Sequence, residues 1–227
     1  MTMPYLLGQG CLAVFPERGA HPMISTETVS NYLERLASGT QTPGGGAAAV
    51  LHAAQGAALV STVAEFTSGP RYADVQEQAQ RIAENAKEQM RSALFAAEED
   101  ERLFRALSTA YGLRKDTEEQ KAERRDAIQH ATIETATPLV STGNVASAVI
   151  ELASELLLIG NRSVSSDVAA AAEAARAALG TALVTLEMNI AAIKDETQRA
   201  QLTRATTQAS QMISQAEEIS SAVRSAV

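Results

Sequence analysis

The sequence predicts an all-α fold, a bundle of about seven antiparallel and mostly long helices. Hydrophobic residues make up 45% of the 227 residues, but aromatic residues only 4%, and tryptophan is absent. Alanine is abundant instead, which favours closely packed helices over a β-sandwich built from β-branched and aromatic side chains. Apolar residues recur in steps of three and four, and no segment alternates as a half-buried strand would.

We expect a single helical domain over 23–227, preceded by a loose tail over 1–22. The tail is rich in Gly and Pro, and it has no basic segment followed by a cleavage pattern, so we expect no signal peptide. The stretch "MISTETVSNYLERLASG" reads as a helix start, which makes Met23 a candidate natural initiator.

Periodicity and capping residues define seven helices. Ser25 or Thr26 is a suitable N-cap for the first helix, and Thr117 with Gln120 forms a capping-box pattern before the fourth. The fourth helix is expected to end before Pro138, since proline disfavours helical backbone in the residue before it. The predicted spans are about 26–37, 44–66, 73–111, 117–136, 144–159, 165–193 and 196–224.

The seventh predicted helix carries apolar residues in strict three-four steps: Leu202, Ala205, Ala209, Met212, Ala216, Ile219 and Val223. Such a seam is typical of coiled-coil packing. It either closes within one subunit or pairs two copies. The long stripes of small residues lead us to expect a homodimer.

Charge and composition argue against several classes of protein. The formal net charge of −8 gives no basic footprint for nucleic acid. A single cysteine, Cys11, rules out an intramolecular disulfide. We expect no metal site, because no ligand-like spacing joins the three histidines, His21, His52 and His130. The most apolar runs, 46–60 and 146–159, contain polar residues and read as core helices, so we expect a cytoplasmic protein without a membrane partner.

The segment "TPGGGAAAV" opens the second predicted helix with Gly44, Gly45 and Gly46. Each glycine inside a helix costs about 1 kcal/mol relative to alanine, so three of them need a reason. Pro43 suits the first helical position, and bare amides at a positive helix end can receive anionic or carbonyl groups. The alternative is a flexible turn that lets another helix come close. No dinucleotide or P-loop motif is present.

Asp100 falls on the apolar stripe of the third predicted helix, between Ala97 and Phe104. An unpaired buried carboxylate is costly, so three arrangements remain open. The group has a raised pKa suited to general acid or base catalysis, or it pairs with a buried arginine, or the stripe is rotated and leaves it in water.

Two polar loops are further candidates. "GLRKDTEEQ" fixes Lys115 before a capped helix, where it either contacts a substrate or is a solvated surface lysine. "GNRSVSSD" joins two apolar helices at a place where a pocket is expected to open. Ser165 or Ser166 is expected to cap the sixth helix and Asp167 to favour its dipole, which leaves Asn161 without a structural role.

Together and in this order, these motifs resemble the formiminotransferase-cyclodeaminase C-terminal family, including stand-alone bacterial methenyltetrahydrofolate cyclohydrolases. The similarity covers about 24–197 and rests on "LASGTQTPGGGAAA", "EFTSGPRY", Asp100 with Phe104, "LRKDTEEQKAERRDAIQHA", "GNRSVSSD" and "EMNIAAIKDE". It implies an all-α homodimer with a tetrahydrofolate derivative as substrate and no tightly bound cofactor.

The reaction implied first is conversion of 5-formimidoyltetrahydrofolate to 5,10-methenyltetrahydrofolate and ammonia. The alternatives are the methenyltetrahydrofolate cyclohydrolase reaction and a non-catalytic folate-binding or interaction protein. Attack by folate N10 needs no enzyme nucleophile, only an orienting pocket with an acid and a base.

The resemblance assigns roles to individual residues. Asp100 or Asp167 would transfer the proton, and Lys115 would bind or protonate near the reacting centre. Arg71 is expected to meet the glutamate tail of the folate, within a substrate-binding set of Pro43, Gly44, Gly45, Gly46, Arg71, Asn161, Ser166 and Asn189.

The chain departs from the family pattern at Arg114, Ser163, Thr185 and Glu187, where the family usually has Pro, Asn, Asn and a basic residue. The resemblance therefore implies two fewer amide side chains in the pocket. Glu187 lies in a mostly apolar stretch, where a buried carboxylate would need a partner.

Overall fold

A computed structural model describes residues 23–226, and this part of the chain contains no strand. It consists of α-helices and two short 3-10 helices that lie in the connections between them. The predicted all-α class is therefore confirmed. The predicted tail over 1–22 lies outside the described residues. The helices are α1 (Val29–Ala37), α2 (Gly45–Phe66), α3 (Gln76–Tyr111), α4 (Glu118–Glu134), α5 (Ala136–Ile159), α6 (Ser165–Ala192) and α7 (Glu196–Ser225).

Helices α2, α3, α5 and α6 form a four-helix bundle with an alanine-rich core. Helix α2 packs between α3 and α6, and α5 closes the bundle on the far side. Small side chains bring these helices close together. A Cβ on Gly56 of α2 would lie 3.0 Å from the carbonyl oxygen of Ala171 in α6, so glycine lets the two helices pack more closely than a larger residue would.

The apolar seam of α7 packs against α6 and α5 of the same chain. Leu202, Ala216, Ile219 and Val223 are buried there. The seam therefore closes within one subunit. Near its middle, Ala205, Ala209 and Met212 line a cavity of about 250 Å³ between α5, α6 and α7.

Helix α3 is much longer than its partner α2. Its 36 residues span about 54 Å and run antiparallel to α2, so its last turns extend past the first residue of α2. The apolar stripe that carries Asp100 is not buried at Phe104 or, farther along α3, at Tyr111, because α2 begins beside Asp100. They are 42% and 43% exposed, and Glu101 is buried on this part of α3 instead.

Two helix starts differ from the prediction. Helix α1 begins at Val29 rather than 26, because the Thr28 side chain accepts the Asn31 N–H at 3.2 Å and caps it. Helix α5 begins at Ala136 rather than 144. Pro138 lies within its first turn, where a missing N–H breaks no intrahelical hydrogen bond.

Capping was predicted correctly for α4 but not for α6. Thr117 and Gln120 form both hydrogen bonds of the capping box before α4. Helix α6 has Val164 as its N-cap residue, whose side chain makes no capping hydrogen bond, so the prediction that Ser165 or Ser166 is the cap is wrong. Both serines already lie inside the helix.

By length and composition alone, three helical segments of the described chain could cross a membrane: Gly45–Phe66, Glu118–Ile159 and Arg162–Ala192. In their most apolar stretches, 61%, 50% and 39% of the residues are buried within the chain. The runs 46–60 and 146–159 lie in α2 and α5 and supply much of the core. The absence of a membrane partner stays a prediction.

Candidate functional site

The candidate site lies where α3 extends beyond the start of α2, and we call it the ledge. It comprises the N-terminal end of α2 from 44 to 47, Asp100, and the uncovered face of α3 beyond it. Phe104, Leu107 and Tyr111 follow Asp100 in steps of four, three and four, so they share its side of the helix. Because α2 begins beside Asp100 and does not extend along α3 as far as these residues, this face of α3 is exposed to solvent.

Gly46 lies directly against the Asp100 carboxyl group. A Cβ built on Gly46 would lie 2.6 Å from Cγ of Asp100, which no real side chain tolerates. Gly44 and Gly45 differ, since added Cβ atoms there would meet nothing closer than 4.0 Å. One glycine thus makes room for a carboxylate of the protein itself, and the other two leave open space.

Pro43 does not occupy the first helical position, so that prediction is wrong. Gly44 is the N-cap residue, with φ of −136° and ψ of −159°, and α2 begins at Gly45. The backbone is still extended at Gly44, which places the buried Pro43 in the preceding loop. Gly44 has no side chain to cap this end of α2, but the Asp100 carboxylate accepts the Ala47 N–H in the first turn of the helix.

Asp100 is partly buried, and this burial raises its pKa to about 6. A hydrogen bond from the backbone N–H of Ala47 opposes the shift, and the neighbouring Glu101 carboxylate adds to it. Of the three arrangements left open by the sequence, the structure shows the raised pKa. A carboxyl group with such a pKa changes protonation near neutral pH, as a general acid or base must.

The arginines expected near Asp100 pair with its neighbour instead. Arg35 of α1 donates from Nη2 to Oε1 of Glu101 at 2.8 Å and to Oε1 of Glu27 at 2.7 Å. Arg105 approaches the other oxygen of Glu101 at 3.2 Å. Sequence reasoning missed this cluster, although the spacing of Glu101 and Arg105 at i and i+4 was a visible signal.

Tyr32 of α1 packs into the core beside these charges and is only 7% exposed. Burial raises the pKa of its hydroxyl, and the carboxylates of Glu101, Glu27 and Asp100 raise it further, against a lowering by Arg35. The hydroxyl has no hydrogen-bond partner among the described residues. Nothing in the described part of the chain compensates the burial of this polar group.

Several predicted site residues lie at the opposite end of α2. Arg71 is in the turn after this helix, stacked over the Tyr72 ring at 5.8 Å. Ser166 and Asp167 begin α6, which runs antiparallel to α2. The two ends of α2 are about 32 Å apart, so within one protomer these residues cannot join the ledge.

Asn161 has a structural role, contrary to the expectation that it lacked one. Its side-chain Nδ2 donates to the Phe66 carbonyl oxygen at 3.0 Å, and its Oδ1 accepts from the Ser163 N–H at 3.0 Å. Its backbone N–H donates to Thr67 Oγ1 at 3.0 Å. These bonds brace the C-terminal end of α2, and we call this end the brace.

Lys115 and Asn189 lie at the same end of the bundle as Asp100, but no hydrogen bond joins either of them to Asp100 among the described residues. Lys115 is exposed in the turn between α3 and α4, beyond Tyr111, which is itself about 16 Å along the helix from Asp100. Asn189 donates to Thr135 Oγ1 at 3.3 Å and joins α6 to the junction of α4 and α5. Glu187 is exposed and needs no partner.

Residues of "GNRSVSSD" line neither of two cavities found in the described part of the chain. One lies between α5, α6 and α7, and the other, of about 270 Å³, lies between the C-terminal end of α2 and the start of α3. Within the described residues, no group of three or more His, Cys, Asp or Glu side chains is placed to hold a metal ion.

Comparison with known proteins confirms the resemblance read from the motifs. A family model described as formiminotransferase-cyclodeaminase matches residues 28–208, which include the whole ledge. A methenyltetrahydrofolate cyclohydrolase of Methylorubrum extorquens is 37% identical over 175 residues, covering 76% of this chain and 84% of that protein.

Two further relatives carry the other name. The formimidoyltransferase-cyclodeaminase of Sus scrofa is 30% identical over 189 residues, which cover 82% of this chain but only 35% of that protein. The crystal structure of a formiminotetrahydrofolate cyclodeaminase from Thermotoga maritima matches with a TM-score of 0.77 at 25% identity, covering 89% of this chain and 96% of that one.

Proposed function

Because the chain belongs to the formiminotransferase-cyclodeaminase family, we propose that it is an enzyme of one-carbon folate metabolism that opens 5,10-methenyltetrahydrofolate to 10-formyltetrahydrofolate. The observation that carries this proposal is the Asp100 carboxyl group, held against the bare start of α2 with its pKa raised to about 6. The cyclohydrolase name of the 37% identical relative supports this choice of reaction.

The reaction needs proton transfers at one carbon atom. Water adds to the bridging carbon between N5 and N10 and gives up a proton, forming a tetrahedral carbon that bears a hydroxyl group. The bond from carbon to N5 then breaks, N5 takes a proton, and the hydroxyl loses its own to become the formyl oxygen on N10. One proton is released overall, and no enzyme nucleophile takes part.

Asp100 has the properties to handle both protons in this proposal. As the carboxylate it takes the proton from the attacking water, and as the acid it returns a proton to N5. A pKa of about 6 keeps both forms accessible at neutral pH. The Ala47 N–H fixes one carboxylate oxygen, so the group is positioned before the substrate arrives.

The rest of the ledge suits a flat substrate with an anionic end. The exposed ring of Phe104 offers apolar contact to an aromatic ring, and the half-exposed Tyr111 ring, with the Arg124 guanidinium 5.9 Å from its centre, adds a second aromatic surface. Gly44 and Gly45 leave the start of α2 open, so a pterin can approach the backbone N–H groups without meeting a side chain.

A second candidate is the cyclodeaminase reaction, the first choice from the sequence. The name of the Thermotoga maritima structure supports it. There N10 adds to the formimidoyl carbon, N10 loses its proton, and the amino group takes a proton and leaves as ammonia. Asp100 serves this reaction equally well, because both pass through a tetrahedral carbon between the same two nitrogens.

The test is turnover of both substrates by the purified protein, followed by the near-ultraviolet absorbance of the methenyl compound. Asp100→Asn is expected to lower kcat at least about a hundredfold, the usual contribution of a general acid or base. Asp126→Asn, an exposed carboxylate on α4, is the matched control and should keep wild-type turnover. A fully active Asp100→Asn variant would contradict the assignment, and turnover of neither substrate would contradict the function.

We propose further that the active form is a homodimer, as the resemblance implies. Ser166 and Asp167 could then reach a ledge only from the second copy. Light scattering tests the dimer. If Asp167→Asn is inactive, mixing it with Asp100→Asn protein should restore part of the activity through mixed dimers, whereas an active Asp167→Asn variant removes this residue from the reaction.

A further inference from the structure

Arg105 lies at the edge of the ledge, slightly more than one turn beyond Asp100 on α3. Its Nη1 is 3.2 Å from Oε2 of Glu101 and 3.4 Å from Oγ1 of Thr42. Thr42 belongs to the loop that leads into Gly44, so Arg105 borders the start of α2. Its side chain is 42% exposed, which leaves one side of the guanidinium open to a ligand.

Two other cations near the ledge are already engaged. Arg35 is largely buried between Glu27 and Glu101 and neutralises much of their charge. Arg102 makes two hydrogen bonds to Glu99, at 2.9 and 2.7 Å. Arg105 contacts its partners only through Nη1, and its Nε and Nη2 atoms make no hydrogen bond to the described residues.

Guanidinium groups recognise carboxylates through pairs of parallel N–H donors, and Arg105 has such donors free. We infer that Arg105 binds a carboxylate of the substrate's glutamate tail and so gives the enzyme its preference for glutamate-bearing folates. This inference rests on the proposed function. It replaces Arg71, to which the sequence assigned this role and which lies at the other end of α2.

The spacing of the residues matches the order of groups in the substrate. In a folate, the benzoyl ring and one amide separate the reacting atoms from the nearest carboxylate. On α3, Asp100 and Arg105 are about 7.5 Å apart along the axis, and the arginine side chain extends this reach. The exposed ring of Phe104 lies one turn from Asp100, where the benzoyl ring would pass.

The test compares two substrates, 5,10-methenyltetrahydrofolate and the corresponding methenyltetrahydropteroate, which has no glutamate. Arg105→Met is expected to reduce the ratio of their kcat/KM values about tenfold, mainly through KM for the glutamate-bearing substrate. Arg105→Lys keeps the charge without the paired donors and should give an intermediate ratio. Arg102→Met, on the same helix, is the matched control and should leave the ratio unchanged.

Other results would overturn the inference. If Arg105→Met lowers kcat/KM equally for both substrates, or for neither, Arg105 does not bind the glutamate tail. If Lys115→Met or Arg71→Met collapses the ratio instead, the tail binds elsewhere. Wild-type protein that turns over neither substrate would refute the proposed function itself, a result distinct from an unchanged ratio. Melting temperatures of all variants exclude unfolding as the cause.

Discussion

The two ends of helix α2 look alike in the sequence but differ in the structure. Both join a polar loop to an apolar helix, and both were predicted to bind substrate. At the brace, the Asn161 side chain donates a hydrogen bond to the Phe66 carbonyl oxygen, and Thr67 Oγ1 accepts the Asn161 backbone N–H. At the ledge, the N-cap residue Gly44 offers no capping side chain, and Asp100, which accepts the Ala47 N–H, has a raised pKa. The polar side chains of the brace are engaged in hydrogen bonds within the chain, whereas the Asp100 carboxyl group of the ledge remains available for chemistry.

The largest expected effect within this comparison is at the ledge glycines. Gly46→Ala should lower turnover about a hundredfold, because the added Cβ must displace the Asp100 carboxyl group. Gly45→Ala is the matched control: it lies one residue away in the same helix turn, and its Cβ would meet nothing closer than 4.0 Å.

Kinetics per folded molecule measure the difference, with circular dichroism as the check on folding. Gly45→Ala should stay within about threefold of the wild type, and both alanines gain up to about 1 kcal/mol of helix propensity. Equal losses in the two variants would mean that the contact between Gly46 and Asp100 does not control the reaction.

The second effect is on stability and follows from the Asp100 pKa. The folded protein holds this proton more tightly than the unfolded chain, since the pKa rises from 3.8 to about 6. Stability from this group is fully present below about pH 4 and is lost as pH rises through about 6, a difference of about 3 kcal/mol. Asp100→Asn should therefore be more stable than the wild type at pH 8 and about equal at pH 4.

Urea unfolding at the two pH values measures this difference. Asp126→Asn, which removes an exposed carboxylate, should show no comparable dependence on pH. An Asp100→Asn variant that is less stable than the wild type at pH 8 would contradict the expectation that the ionised Asp100 carboxylate lowers the free energy of unfolding.

The third effect is at the brace. Asn161→Ala removes the bonds to Phe66 and Ser163 and should cost about 1–2 kcal/mol of unfolding free energy, with turnover per folded molecule within about threefold. Ser163→Ala loses only a side-chain hydrogen bond to Asn161 and should cost less. Chemical denaturation and kinetics on the same samples separate the two readouts. A large loss of kcat with unchanged stability would make the brace part of the site.

The smallest effect is expected at Tyr32. Its hydroxyl is buried without a partner among the described residues, so Tyr32→Phe removes a group that makes no compensating bond. Thermal unfolding should show a change within about 0.5 kcal/mol or a small gain in stability. A loss above about 1.5 kcal/mol would mean that the hydroxyl has a hydrogen-bond partner in solution.

Helix periodicity and capping predicted the fold class and most helix bounds, because both act over a few neighbouring residues. The same local signals identified Asp100 as an anomaly. They could not show that the arginines serve Glu101, or that Asn161 closes the end of α2, since these bonds join residues far apart in the chain. The failure at Phe104 has a similar cause, because the stripe continues in sequence after its partner helix has ended.

The contact between Gly46 and Asp100 links two positions that are more than fifty residues apart in the sequence. Any side chain at 46 excludes the carboxyl group as it now lies, while the loss of that carboxyl group would make room for a side chain at 46. The two positions are therefore expected to change together during evolution rather than one at a time. In related sequences, a larger residue at the first position is expected only in proteins that lack a carboxyl group at the second.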